Sequence, residues 1–582
     1  MFALYSFSQR IAAYFALPPT EPSRAFSTRD QTILLAATVF SQAVYFVFIP
    51  LGYECDASMY FAYAKSLINA AGGSYTYHRP PGFPIFLILT GQFLFDSFII
   101  TVIAQAVMGV LAPLLVYRSL APLNRVTALA CSGVFIISGI PFAAAKLMLA
   151  THLYMFLVVA TIYAFSRYYF TNSPRFIYLT VFVGLAAMFT RWEAIFLLVF
   201  AIVAMFVIGR KTSRHLRHVF LGIAIVATII GGWSFTRSIG IGEPALFGSL
   251  HNGSSRQLFW RLYGQLYPAV MRAEINLGLR EESNIEGLIV KDDPVKGRIL
   301  LGTRLIDVNN GPATRKFRSQ LAEAIKEFPE IHQTLKKPLD EAYQPPGQPR
   351  IDFYHESFGQ FEGNPHALAD NMFINPNMFY TDYVFSLLNR KLGIHGTDKL
   401  LNGVILESIK ENPVLLALMG KQWISIFGFD VEALINLQMP VFTFWGLYPY
   451  AYIPYNLGGC SESTLPPSMI DENLFDVRLS QSLPQDTFLM VSSFLRNMVR
   501  NTVGFLALLS WWIIPFSRHR IFLVFLAGSS VVMLGVIAVM AGGLYTRYEY
   551  SSIPLILITT SGAVFSLWEF YQRKFRSSAH QV

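Results

Sequence analysis

Runs of about twenty apolar residues recur along this chain, and they constrain its fold more than any other feature. Stretches near 33–51, 97–117, 126–145, 147–166, 219–236, 499–516, 521–542 and 549–568 are long enough to cross a bilayer as helices. Two tighter ones, near 176–190 and 193–208, flank a break at Thr190–Glu193. A hairpin at 414–428 and 433–451 brings the expected total to about ten to twelve spans. Composition excludes a soluble alternative, since 53% of the 582 residues are hydrophobic and 14% are charged, against roughly 25% charged in soluble domains. A net charge of +9 would hint at nucleic acid in a soluble protein. Here the positive residues cluster in short loops between apolar runs, which signals topology and a lipid bilayer as partner, with no nucleic acid.

Those loops orient the chain. Arg118 and Arg125, Arg167 and Arg175, the group Arg210, Lys211, Arg214 and Arg217, Arg518 and Arg520, and Arg573, Lys574 and Arg576 share one side. The positive-inside rule makes that side cytoplasmic. Residues 83–95 are apolar but too short to cross, and counting them as a span would put Arg118 and Arg125 outside. They read as an outer-face helix or re-entrant segment. The expected organisation is a cytoplasmic amphipathic segment at 1–30, a transmembrane module at 31–237 with a first external loop at 52–82, and an external soluble domain at 238–412. A second transmembrane module at 413–570 and a cytoplasmic tail at 571–582 follow. The external domain reads as small and helical, with amphipathic helices at 313–343 and 397–411. Thr397 is the N-cap expected for the second, with Leu400, Leu401, Val404 and Ile405 on one side. The fold class is therefore an all-α polytopic membrane protein with a small soluble insert. Its three cysteines lack metal spacing, although Cys55 and Cys460 fall on the same expected face and could pair.

Charge is scarce where it is costly. Before position 240 the acids are Glu21, Asp30, Glu54, Asp56, Asp96 and Glu193, and four of these six fall at outer ends of spans. An ionisable group at the centre of a membrane helix costs roughly 2.5–3.5 kcal/mol and is usually retained for function. If 56–70 is helical, Asp56, Tyr60 and Ala64 share one face. Beyond Gly72 and Gly73 the chain reads Tyr77-His78-Arg79-Pro80-Pro81-Gly82-Phe83-Pro84. The double proline forbids helix there and presents Arg79 on an extended, rigid turn. Thr190-Arg191-Trp192-Glu193 lies at another outer helix end, and Tyr545-Thr546-Arg547-Tyr548 precedes the helix that carries Pro554.

An acid after the first span with Tyr four residues on, then a basic residue before Pro-Pro and a new apolar helix, resembles the GT-C glycosyltransferases. The nearest branch is similar to the protein O-mannosyltransferase and aminoarabinose transferase group. The likeness covers about 1–240 and 400–570 in layout, while 240–400 resembles nothing recognisable. It implies a GT-C-like bundle that moves a sugar from a polyprenyl-phosphate-linked donor to a glycan, lipid or protein acceptor on the non-cytoplasmic face. Asp56 matches the family's catalytic acid and Arg79 the basic residue of its Pro-Pro motif. The family often carries an acid where this chain has His78. Inversion at the anomeric carbon is part of the same implication.

Physical chemistry asks for the same groups. Transfer from a lipid phosphate needs a carboxylate to take the acceptor's proton or to hold the acceptor or a metal. It also needs fixed positive charge where the leaving phosphate gains its own, for which Arg is well suited. Asp56 supplies the first, and Arg79, Arg191 and Arg547 the second, with Tyr60, His78, Glu193 and Tyr548 in support. A divalent metal is compatible with this chemistry, but no His, Cys, Asp or Glu spacing points to one. Other readings attach to the same residues. Asp56 is a favoured N-cap, Arg191 and Glu193 can form a structural pair, and Tyr548 fits an interfacial belt. A lipid or sugar transporter or flippase is the main alternative, and a scaffold built around the external domain is a third.

Overall fold

A computed structural model describes residues 28–48, 55–68, 80–92, 98–146, 149–210, 212–241, 289–293, 297–302, 311–330, 378–426, 483–540 and 546–579, with isolated positions between 255 and 369. In chain order the first module forms α1 (Thr28–Phe48), α2 (Cys55–Ile68), α3 (Gly82–Leu89), α4 (Ile99–Leu120) and α5 (Arg125–Ile137). It continues with α6 (Ile140–Ala143), α7 (Ala150–Thr171), α8 (Arg175–Thr190), α9 (Ala194–Gly209) and α10 (Ser213–Ile241). The insert contains the strands β1 (Ile289–Asp293) and β2 (Gly297–Gly302), then α11 (Pro312–Glu327) and α12 (Met378–Glu411). The second module holds α13 (Val414–Ile426), α14 (Leu483–Ser510), a 3-10 turn at Trp511–Phe516, α15 (Arg520–Met540) and α16 (Thr546–Ala579).

Among the described residues, α1, α4, α7, the Ser213–Thr236 part of α10 and the Ile553–Tyr571 part of α16 are long and apolar enough to cross a membrane. The chain is thus a helical, multi-pass membrane protein. Its centre is α7, which packs against α3, α4, α8, α9, α15 and α16 and buries Tyr154, Val158, Ile162 and Phe165 completely. A helix apolar on every side belongs in a core. By contrast, α1 and α10 expose Phe40, Val47, Phe220, Phe235 and Ile239, which suits contact with lipid.

One end of the bundle is knitted by polar side chains beside the basic loops. Arg125 grips Asp30 with Nη2 to Oδ1 at 2.7 Å, and the Tyr117 hydroxyl donates to the same carboxylate at 3.0 Å. Tyr178 pairs with His218 at 2.6 Å and Tyr169 with His519 at 3.4 Å. This clamp explains why α1 begins at Thr28 and carries Asp30 buried in its first turn, whereas hydropathy starts the span after it.

Other boundaries differ for local reasons. The apolar run 126–145 is not one helix, because Gly139 adopts φ +68° and separates α5 from the short α6. The Tyr45 hydroxyl occupies the place a Gly139 Cβ would take. α14 begins at Leu483, well before the apolar run near 499–516, and its last apolar turn tightens to 3-10 where Pro515 withholds an N–H. α16 extends to Ala579, so the basic residues assigned to a tail continue the helix. Residues of 83–95 as far as Leu89 are helical, in α3, which is too short to cross a bilayer.

The insert is not wholly helical. β1 and β2 pair antiparallel, Lys291 facing Ile299 and Asp293 facing Gly297, in a stretch rich in Ile, Val and Leu that favours strands. Glu407 of α12 caps α11, accepting from the Ala313 N–H at 2.7 Å and the Thr314 hydroxyl at 2.9 Å. Thr397 is not an N-cap. The helix resumes directly after Gly393, at φ +69°, and Thr397 donates back to the Gly393 carbonyl at 2.9 Å. Leu400, Leu401, Val404 and Ile405 are buried together, as their spacing requires. Residues 331–343, 433–451 and Cys460 lie outside the described residues.

Candidate functional site

Two of the stretches singled out in the sequence meet at the end of α8. Pro81 immediately precedes α3 with φ −80°, an angle its ring permits. A Cβ on Gly82 would lie 2.6 Å from the Phe189 carbonyl oxygen and 2.7 Å from Thr190 Oγ1. Only glycine lets the start of α3 approach the end of α8 this closely. α8 stops because Arg191 turns extended, at φ −150° and ψ 128°, while its N–H still closes onto the Ala187 carbonyl at 2.8 Å. The turn that follows carries Trp192 and Glu193 into α9.

α2 enters the same neighbourhood through its apolar face. Tyr60 meets Phe83 edge-on with ring centroids 5.1 Å apart. Tyr60 and Ala64 pack with Phe83 and Leu87 of α3 and with Ala150 and Leu153 of α7. Asp56 lies in the first turn of α2, one helical turn before Tyr60, and Arg547 and Tyr548 lie in the first turn of α16. The side chains of these three, together with His78 and Arg79, lie outside the described residues.

Arg191 and Glu193 are described in full. Arg191 Nη2 donates to Glu193 Oε1 at 2.6 Å, and the guanidinium lies 5.4 Å from the centre of the Tyr154 ring. The two side chains are 12% and 20% exposed. Burial alone would raise the Glu193 pKa. The charge and hydrogen bond of Arg191 outweigh it and hold the carboxyl below its ordinary range, so the pair is ionised at neutral pH. Arg191 therefore meets an anion already neutralised, and a phosphate binds there only by sharing the guanidinium with Glu193.

Tyr154 is a residue that sequence reading misses. It is fully buried, its ring faces Arg191, and its hydroxyl has no hydrogen-bond partner among the described residues. A buried phenol can donate to an incoming oxygen. Within an apolar run Tyr154 looks like any core aromatic, and no motif spacing marks it. Tyr60 is placed by its α3 contact, which makes it a packing residue at the junction. Among the described residues, no three His, Cys, Asp or Glu side chains come together to hold a metal.

No protein-family model, curated protein or solved structure matches the chain.

Proposed function

We propose that this chain is a membrane glycosyltransferase of the GT-C type, with a bundle of about ten to twelve spans. It transfers sugar from a polyprenyl-phosphate-linked donor to a glycan, lipid or protein acceptor on the non-cytoplasmic face of a cell membrane. The observation that carries this reading is the Gly82 junction. It joins the Pro80-Pro81 turn, the Arg191–Glu193 pair and the helix of Asp56 at one end of the bundle. In the reaction, the acceptor oxygen or nitrogen attacks the anomeric carbon as its proton passes to Asp56. The bond from that carbon to the phosphate oxygen breaks with its electron pair, releasing polyprenyl phosphate. Arg79, Arg191 and Arg547 offset the charge that grows there, and Tyr154 donates to the same oxygens. His78, Glu193, Tyr60 and Tyr548 hold these groups in position.

The test is transfer from a panel of radiolabelled polyprenyl-phosphate sugars by membranes containing the full chain. Asp56→Asn should lose transfer by 10²-fold or more, the usual scale of a lost acid–base group, while accumulating to wild-type levels. Full activity in Asp56→Asn would remove the mechanism. A transporter reading draws on one observation, the uncharged polar cluster inside the bundle described next. Labelled-sugar flux into proteoliposomes without transfer would favour it.

A further inference from the structure

Several uncharged polar side chains converge between α1, α4 and α7. Gln42 of α1 is 6% exposed and His152 of α7 is 1% exposed. His152 Nε2 lies 2.7 Å from the Gln105 carbonyl oxygen. A carbonyl only accepts, so in the neutral ring Nε2 carries the proton and Nδ1 is a bare lone pair. Among the described residues His152 Nδ1 has no partner, and neither the oxygen nor the nitrogen of the Gln42 carboxamide has one. Both side chains reach Gly109. Gln42 Oε1 lies 2.6 Å and His152 Cε1 3.5 Å from the point where a Gly109 Cβ would sit, with the Pro141 carbonyl oxygen 2.4 Å away on the same spot. Glycine at 109 makes room for this convergence.

Among the described residues no charged side chain hydrogen-bonds to Gln42 or His152. Gln105 Nε2 donates to the Ala145 carbonyl at 3.2 Å, and the Tyr45 hydroxyl pairs with Ser492 at 2.7 Å. Lys146 donates to the Phe46 carbonyl. Buried polar groups in a membrane bundle ordinarily find partners, because each unmet one carries its full desolvation cost. The complement to an imidazole lone pair beside a carboxamide is a group that both donates and accepts, with no net charge.

We propose that Gln42 and His152 bind a hydroxyl between α1, α4 and α7, supplied by water or by a neutral polyol or sugar headgroup. The hydroxyl donates to His152 Nδ1 and accepts from the Gln42 amide. The proposal does not depend on glycosyl transfer.

A cryo-EM map of the full chain in lipid nanodiscs, sharp enough to resolve waters elsewhere in the bundle, tests this directly. The expected result is density within hydrogen-bonding distance of both His152 Nδ1 and the Gln42 carboxamide. An isolated peak identifies water, and a branched feature identifies a co-purified polyol or sugar. Thermal melts with methyl glucoside separate the sources: a rise in melting temperature that Gln42→Leu abolishes indicates the polyol, and no rise indicates water. Gln42→Met serves if the leucine variant fails to accumulate. A bare His152 Nδ1 in that map overturns the proposal, whichever way the Gln42 amide points.

Discussion

At the scale of single residues, the Arg191–Glu193 pair links stability to pH with a definite sign. Because Arg191 holds the Glu193 carboxyl below its ordinary value, the pair's contribution is complete above the unfolded pKa of about 4.3. It is lost as pH falls through the lower folded value. Glu193→Gln should therefore cost about 1–3 kcal/mol at neutral pH, the scale of a buried partner left unsatisfied. Thermal melts of wild type and variant in detergent should converge as the pH drops below that range. A gap that stays constant would mean the carboxylate charge contributes nothing. Charge was the part of this site most open to sequence reading, because Arg191, Glu193 and Asp56 stand out among so few ionisable residues. Tyr154 and Gln42 were not legible. Each looks ordinary in its own helix, and its meaning comes from a partner more than thirty residues away.

The elements show where hydropathy works and where it stops. It located the apolar cores of the long helices, because lipid requires about twenty apolar residues wherever a helix crosses. It did not locate the ends of α14 and α16, which run on to Leu483 and Ala579. It missed the break at Ser138–Gly139, since a change in φ leaves no trace in an apolar run and the cause is the Tyr45 side chain of α1. It missed the first turn of α1 for the opposite reason, because Asp30 reads as a loop acid until Arg125 reaches it. The contact between α3 and α8 yields a prediction at this scale. Gly82→Ala forces a methyl into the Phe189 carbonyl and Thr190 hydroxyl, and backbone cannot yield as a flexible side-chain tip can. A cost of about 1–3 kcal/mol is expected for such overpacking. Transfer should fall more than stability, because Arg191 is only two residues beyond the displaced carbonyl of Phe189. The measurement is a melt beside a transfer assay on the same preparation. Equal melting and equal transfer would show that α3 tolerates displacement and that the junction has no functional weight.

For the molecule as a whole, the claim to be tested is its orientation. The loops near Arg118, Arg167 and Arg518 gather at the end of the bundle where Asp30 and Arg125 pair, and the Gly82–Arg191 junction lies at the other. Chain direction accounts for this separation. α7 runs from Ala150 beside α3 to Thr171 beside the basic loops, and α8 returns to Arg191. If the basic end faces the cytoplasm, a cysteine placed at Ser173, between α7 and α8, should react with an impermeant maleimide only after permeabilisation. One placed at Asn364, in the insert between α10 and α12, should react in intact cells. Cys55 and Cys460 would first be replaced by Ser, whereas the buried Cys131 can remain. The opposite labelling pattern would put the arginine and carboxylate groups on the cytoplasmic side. There a nucleotide sugar, not a polyprenyl-linked one, would be the accessible donor, and the proposed reaction would lose its substrate.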